Sequence, residues 1–255
     1  MKSIVSILQL LLIAYALLSL GLYLFQRKLL YFPTAIDDSF NAEQISFHNQ
    51  GVKLHGWVVN PGRDKALIYF GGNSEPITQN GADFESIFAD YSVYLVEYRG
   101  YGRSQGKPSE TALFSDALLI YDALSSRHDS ISLLGRSLGS GVAVYLAAHR
   151  GIDKLILLTP YDSIAAVAQR HYPLFPVNWL MRDRFDSVKW GRNIAIPVLL
   201  VTAGKDEVVP LQHGEALMRS LTKAEIDYRL IADAAHNDIT AYAEYQQALR
   251  EFMLR

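Results

Sequence analysis

The sequence predicts an α/β protein with a mostly parallel sheet and helices on both faces, preceded by an N-terminal transmembrane helix. Three observations carry this prediction. An uncharged apolar run opens the chain, a pair of strands with a hairpin turn follows, and short apolar runs then alternate with amphipathic stretches. Alternating strands and helices are typical of parallel sheets, whose strands are nearly all-apolar because both faces are covered.

The composition narrows the class of protein. The chain has 255 residues, with 24 Lys plus Arg and 26 Asp plus Glu, so the formal charge is 24 − 26 = −2. Nucleic-acid-binding proteins usually carry a basic excess, so we expect no nucleic-acid partner. Cysteine is absent, which excludes a disulfide scaffold, a thiol nucleophile and a Cys-ligated metal site.

Residues 4–25 form the first predicted element. They carry no charge, and about twenty apolar residues cross a hydrocarbon core of about 30 Å as a helix. We predict a single-pass anchor over residues 1–28 and one α/β domain over residues 29–255. A cleaved signal peptide is the alternative, since Ala14-Tyr15-Ala16 matches a cleavage site, but the apolar run continues past it. Basic residues flank both ends, so the charge rule assigns no side to the domain.

After the apolar run, the chain is predicted to alternate between β-strands and α-helices. A hairpin joins residues 44–47 and 52–59 across His48-Asn49-Gln50-Gly51. Later strands are predicted at 66–70, 92–98, 130–134, 154–159, 197–203 and 226–232. Helices are predicted at 81–89, 110–126, 138–150, 211–221 and 237–254. Residues from about 160 to 196, rich in Pro and aromatic residues, interrupt this alternation and predict a small helical cap insertion.

The pattern G-x-S-x-G, which presents a serine nucleophile on a turn between a strand and a helix, occurs twice. Ser137 lies in GRSLG, residues 135–139, between an apolar strand and a helix rich in small residues. Ser104 lies in GRSQG, residues 102–106, and Pro108 prevents a helix from continuing out of that motif. We therefore predict Ser137 as the nucleophile and Ser104 as a loop residue.

A serine hydroxyl needs a base, and the expected order in such a sheet is Ser, then Asp or Glu, then His. His236 follows the last strand and precedes the last helix, whereas His171 lies in the insertion and His213 is expected to face solvent. The strand 197–203 is followed by Asp206 and Glu207. We favour Asp206 as the residue that orients the imidazole, with Glu207 as the alternative.

The oxyanion of a tetrahedral intermediate requires two backbone N–H donors. One is expected from Leu138, the residue after the nucleophile. The other is expected from Asn73, in the Gly71-Gly72-Asn73 exit of an early strand.

Four ordered blocks carry a family resemblance: QRKLLYFPT at 26–34, YRGYGRS at 98–104, GRSLG at 135–139 and GKDEVVP at 204–210. Here the chain resembles the membrane-anchored branch of the α/β-hydrolase superfamily, the Bem-like proteins related to eukaryotic depalmitoylases and lysophospholipases. The resemblance implies the α/β-hydrolase fold and a serine hydrolase with Ser137, Asp206 and His236 as its triad. Relatives often carry His-Gly-Asn where this chain has Gly71-Gly72-Asn73.

The sequence thus predicts a membrane-tethered serine hydrolase of an acyl ester, thioester or lipid-like substrate, with no cofactor and no metal. Neither a P-loop nor an H-E-x-x-H motif occurs in the sequence. Two alternatives stay open: a serine aminopeptidase-like peptidase, and a catalytically inactive hydrolase fold that serves as a binding module.

Overall fold

The computed structural model describes residues 2–37 and 39–255, apart from the side chain of Lys2. The first element is a long helix, α1, over Lys2–Leu30. Its apolar side chains from Ile4 to Phe25 are largely exposed, and it is long and apolar enough to cross a membrane. A core helix of a soluble protein is mostly buried, whereas the most apolar part of α1 buries none of its residues.

The centre of the molecule is a sheet of eight strands in the order β1-β2-β4-β3-β5-β6-β7-β8. The β1–β2 and β2–β4 pairs are antiparallel, and all the other neighbours are parallel. The predicted mostly parallel sheet is therefore confirmed. The strands are Glu43–Asn49, Val52–Val59, Lys65–Phe70, Tyr91–Val96, Ser130–Arg136, Leu155–Leu158, Pro197–Ala203 and Glu225–Ile231 for β1 to β8.

Helices cover both faces of the sheet. Those after α1 are Gly81–Ile87, Glu110–Leu124, Leu138–Ala147, Ile164–His171, Val177–Leu180, Ser187–Gly191, Leu211–Ser220 and Ala243–Met253 for α2 to α9. Strand β3 shows the two-sided burial directly. Ala66, Ile68 and Phe70 pack into one core, and Leu67 and Tyr69 pack into the other. Because successive side chains of a strand point to opposite faces, a strand covered on both sides must be apolar throughout.

Most predicted bounds differ from the observed ones by a few residues at an end, and two larger differences have a clear cause. The last helix begins at Ala243 and not at 237, because a 3₁₀ turn over Ile239–Ala241 comes first. Strand β8 is not an apolar run: it lies at the edge of the sheet, and Glu225 is exposed. An edge strand has one unpaired side and tolerates charge there, which explains the difference.

The insertion between β6 and β7 contains α5, α6 and α7. We call residues 160–196 the cap insertion. It contacts the end of α1: Arg27 Nε lies 2.8 Å from Asp183 Oδ2, and the Tyr31 hydroxyl donates to the same oxygen at 3.2 Å. Asp183 is buried, whereas the Arg27 side chain is 48% exposed, so the pair is shielded from water on one side only. Together with the Tyr31 bond it links the end of α1 to the cap insertion.

Candidate active site

Ser137 occupies the sharp turn between β5 and α4. Its backbone has φ 48° and ψ −115°, a conformation that a non-glycine residue rarely adopts. The Ser137 N–H donates to Leu158 O on the neighbouring strand at 2.9 Å, which holds the turn in place. Such strain persists only where the surrounding structure enforces it, and it concentrates at functional sites.

The glycines of the GRSLG motif are required by packing. A Cβ built on Gly139 would overlap the carbonyl group of Phe70 at the end of β3. One built on Gly135 would lie 2.5 Å from Gly139 O and 2.7 Å from Ala143 Cβ. Helix α4 therefore crosses the ends of β3 and β5 at a distance that only glycine allows, and this brings Ser137 to the carboxyl edge of the sheet.

His236 and Asp206 meet Ser137 at that edge. His236 Nε2 lies 2.9 Å from Ser137 Oγ, and His236 Nδ1 lies 2.7 Å from Asp206 Oδ2. Asp206 Oδ1 accepts the N–H groups of Val208 and Val209 at 2.9 and 2.7 Å. Both carboxylate oxygens of Asp206 are thus engaged, so its position is fixed. We call these three side chains the Ser–His–Asp array; Glu207, the alternative acid, is exposed and lies outside it.

The array can generate a nucleophile. With the Asp206 carboxylate accepting from Nδ1–H, the imidazole presents an unprotonated Nε2 to the serine hydroxyl, as a general base must. His236 and Asp206 are buried, whereas Ser137 is half-buried and lines an open cleft of about 1040 Å³. The nucleophilic oxygen is therefore accessible to a substrate, while the groups that orient the base are protected from water.

The second G-x-S-x-G motif has a different role. Ser104 is buried, its hydroxyl donates to Glu97 O at 2.9 Å, and it accepts from His55 N at 2.8 Å. Gly102 and Gly106 have φ values of 49° and 90°, which belong to a loop and not to a strand–turn–helix unit. Ser104 thus links a loop to β2, and its hydroxyl is engaged by these two main-chain hydrogen bonds.

The expected oxyanion donors lie around Ser137. Leu138 is the first residue of α4, so its N–H has no acceptor within the helix. Asn73 lies in the loop after β3 and lines the same cleft as Ser137. In that loop, a Cβ built on Gly72 would lie 3.8 Å from Ser137 Cβ, so the backbone passes close to the nucleophile.

The Asn73 side chain has a role that the sequence did not indicate. Its Nδ2 donates to Leu30 O at 2.6 Å, and its Oδ1 accepts from Phe32 N at 3.0 Å and from the Tyr101 hydroxyl at 2.7 Å. The loop after β3 is therefore connected by hydrogen bonds to the end of α1. A loop held in this way keeps its backbone donors oriented before substrate arrives.

A buried ion pair, missed in the sequence, supports the same loop. Glu75 accepts the Gly72 N–H and the Tyr69 hydroxyl, and its Oε1 lies 2.9 Å from Arg136 Nη1. Arg136 also reaches His236 O at 3.5 Å. Arg136 stands directly before Ser137 in the motif, and this adjacency is the one signal that could have drawn attention to it. Glu75 carries no such signal.

We expect Glu75→Gln to lower kcat for ester hydrolysis about tenfold and to leave KM within about twofold, because a loosened loop weakens transition-state stabilisation more than substrate binding. Steady-state kinetics of the purified full chain measure both constants. Glu85→Gln, on the exposed face of α2, is the matched control and should change neither. An unchanged kcat with a lowered melting temperature would make Glu75 a structural residue only.

His171 and His213, the other histidines considered as the base, are not part of the array. His171 is exposed, and its Nε2 lies 3.1 Å from Val208 O. His213 was expected to face solvent, and this prediction is wrong. It is buried, and its Nδ1 lies 2.9 Å from Asp162 Oδ1. Asp162 comes from the cap insertion, 51 residues away in sequence, so no local pattern could reveal the pair.

Asp233 and Asp238, the acids nearest to His236 in sequence, are exposed. Asp233 pairs with Lys205 at 2.7 Å, and Asp238 Oδ1 accepts the Ala235 N–H. Within residues 2–37 and 39–255, no group of three or more His, Asp or Glu side chains is arranged to hold a metal ion.

Comparison with known proteins gave relatives in sequence and in structure, although no protein-family model matches the chain. An uncharacterized protein of Mycobacterium tuberculosis is 31% identical over 242 residues, covering 88% of this chain and 86% of the relative. Alpha/beta hydrolase domain-containing protein 17C of Xenopus laevis is 30% identical over 200 residues, covering 76% of this chain and 63% of the relative.

Among solved structures, esterase Pf2001 of Pyrococcus furiosus superposes with a TM-score of 0.73 at 19% identity, covering 88% of this chain and 98% of that chain. The eight-stranded sheet with helices on both faces is that of an α/β hydrolase. The chain belongs to the α/β-hydrolase superfamily. Membership of this superfamily supports hydrolase activity.

Proposed function

We propose that the chain is a membrane-tethered serine hydrolase that cleaves an acyl ester or thioester through an acyl-enzyme on Ser137. The observation that carries the proposal is the 2.9 Å contact between Ser137 Oγ and His236 Nε2, with Asp206 behind the imidazole. Because the nucleophile, the base and the orienting acid are already in hydrogen-bonding contact, proton transfer requires little reorganisation of these groups.

The reaction follows from the geometry. Ser137 Oγ attacks the acyl carbonyl while His236 Nε2 takes its proton, and Asp206 stabilises the imidazolium that forms. The N–H groups of Leu138 and Asn73 receive the oxyanion. His236 then protonates the leaving alcohol or thiol. Water attacks the acyl-enzyme with His236 as base, which releases the acid and restores Ser137.

We propose that α1 is the segment that holds the protein in the membrane. Its exposed apolar length matches a bilayer core, and its end is fixed to the cap insertion through Arg27 and Asp183. Tyr15 stacks on Phe175 with ring centroids 5.4 Å apart, so the residues around the Ala14-Tyr15-Ala16 match contact the folded domain. This contact supports retention of the segment over its removal as a signal peptide. An enzyme held at a bilayer samples amphiphilic substrates, such as lipids and lipidated proteins.

The two alternatives receive less support. A peptidase that releases N-terminal residues needs a carboxylate to hold a free amine. Among the described residues lining the cleft, Glu75 is the one carboxylate, and Arg136 and Gly72 already occupy it. An inactive binding module has no need of the aligned Ser–His–Asp array.

The full chain, purified in detergent, should hydrolyse p-nitrophenyl butyrate and a palmitoyl thioester and should not cleave an aminoacyl p-nitroanilide. Faster cleavage of the anilide would identify a peptidase. No turnover of any of the three substrates would favour the binding module.

A further inference from the structure

A second cavity lies between α1 and the cap insertion. Ser19, Leu22 and Leu30 line it from α1, and Ala168, Phe175 and Leu180 line it from the cap side. It is partly open to the outside and is walled almost entirely by apolar atoms. We call this cavity the anchor–cap cleft. Apolar walls of this kind are typical of sites for apolar small molecules or chains.

The walls of the anchor–cap cleft are fixed relative to each other. At one end, Arg27 and Asp183 form two hydrogen bonds of 2.8 and 3.1 Å. At the other end, the Tyr15 hydroxyl donates to Leu174 O at 2.8 Å beside the Tyr15–Phe175 stack. Between these two sets of contacts, the space that separates α1 from the cap insertion is the anchor–cap cleft. The cleft is therefore part of the folded structure and not a chance opening beside a free helix.

The cleft lies along the last part of the apolar run of α1. Ser19 to Phe25 covers about 9 Å of that run, and Arg27 and Lys28, which follow, belong at the membrane surface. The cap residues beside it, 172–181, include no charged residue. Leu174 and Trp179 in that stretch are 79% and 89% exposed. Side chains of this kind are stable in contact with lipid, so we place the cleft at the boundary of the membrane, with Arg27 and Arg182, which stacks on Tyr23, at the level of the headgroups.

Both walls lead to Ser137. On the α1 side, Leu30 lines the anchor–cap cleft and Phe32, two residues later, lines the Ser137 cleft. On the cap side, Tyr172 lines the anchor–cap cleft, and its neighbour His171 contacts Val208, which lines the Ser137 cleft. The apolar cavity and the Ser137 cleft are thus neighbours at both boundaries, although no described residue lines both.

We infer that the anchor–cap cleft holds the long acyl chain of the substrate, drawn directly from the leaflet, and that α1 is a wall of this acyl-binding site as well as an anchor. The inference rests on the proposed function, because the acyl carbonyl must reach Ser137 while its chain extends into the cleft. A headgroup or protein carrying that chain then stays on the aqueous side.

The test is the ratio of kcat/KM for p-nitrophenyl palmitate to that for p-nitrophenyl acetate, measured on full-length variants in vesicles. Ser19→Phe places a ring in the cleft and should lower this ratio at least about tenfold. Gly21→Phe adds the same ring on another face of α1, where a Cβ meets nothing within 4 Å, and should leave the ratio within about twofold. An unchanged ratio in Ser19→Phe would overturn the inference whatever the total activity.

A binding measurement separates this inference from the proposed function. A diazirine-bearing palmitate, photolysed in vesicles with the Ser137→Ala protein, should label Ser19, Leu22 and Ala168 more than the opposite face of α1. Equal labelling around α1 would contradict the cleft. Wild-type protein inactive on both esters, with labelling still concentrated in the cleft, would contradict only the proposed hydrolase reaction.

Discussion

Ser137→Ala is expected to lower kcat for ester hydrolysis by about four to six orders of magnitude. The alanine removes the oxygen that forms the acyl-enzyme, and no other described serine or threonine lies within hydrogen-bonding distance of His236 Nε2. Residual turnover would come from water attacking a substrate held by the Leu138 and Asn73 donors. Single-turnover kinetics of the full chain with p-nitrophenyl butyrate measure the effect.

The other members of the Ser–His–Asp array should behave as one unit with Ser137. His236→Ala alone, and the double variant with Ser137→Ala, should lose about as much as Ser137→Ala, because neither group acts without the other. Asp206→Asn should cost about 10⁴-fold in kcat, since an amide presents a donor to Nδ1 and favours the wrong tautomer. If the double variant lost the sum of the two single losses in log kcat, the idea that Ser137 and His236 act as one unit would be contradicted.

Ser104→Ala is the matched control, because it alters the serine of the other G-x-S-x-G motif. It removes two buried hydrogen bonds, to Glu97 O and from His55 N, so the melting temperature should fall. Turnover by the folded fraction should stay within about threefold of wild type. A loss comparable with that of Ser137→Ala would show that the assignment of the two motifs is reversed.

Gly139→Ala is expected to have the largest effect on folding. The new methyl group would overlap the Phe70 carbonyl and would also crowd Gly71 O at 2.7 Å. Both neighbours are backbone atoms at the end of β3, which its pairing with β4 and β5 holds in place. We expect a loss of about 3 kcal/mol or more in the free energy of unfolding, at the upper end of overpacking costs.

Gly151→Ala, just beyond α4, is the control for Gly139→Ala. A Cβ there meets only the Tyr121 hydroxyl at 3.7 Å, an ordinary contact, so stability should change by less than about 0.5 kcal/mol. Thermal unfolding of the detergent-solubilised proteins measures both. A Gly139→Ala protein as stable and active as wild type would contradict the close approach of α4 to β3 that positions Ser137.

Local patterns were enough to predict most of the fold. The β7 prediction matches the observed Pro197–Ala203, β3 begins one residue earlier than predicted, and β8 is shifted by one residue at both ends. These elements were predictable because burial on both faces of a central strand demands apolar runs, and helices between them need amphipathic ones. Local patterns also distinguished the two candidate serines, because only Ser137 stands between a predicted strand and a predicted helix.

Contacts between distant segments could not be predicted. His213 is buried because Asp162, from another element, lies beside it, and its own neighbours suggest exposure. The link between Glu75 and Arg136 joins residues 61 apart, and the fastening of α1 to the cap insertion through Arg27 and Asp183 joins residues 156 apart. Hydrophobic periodicity reports which face of an element is buried and not which charged partner meets it.

The most direct test of the central claim is to map the site at which a fluorophosphonate probe modifies the full chain, by mass spectrometry of its peptides. Such probes react with a serine hydroxyl activated by a neighbouring base. We predict a single adduct on Ser137, absent from His236→Ala and retained in Ser104→Ala. An adduct on Ser104, or labelling of Ser137 that persists without His236, would contradict the account.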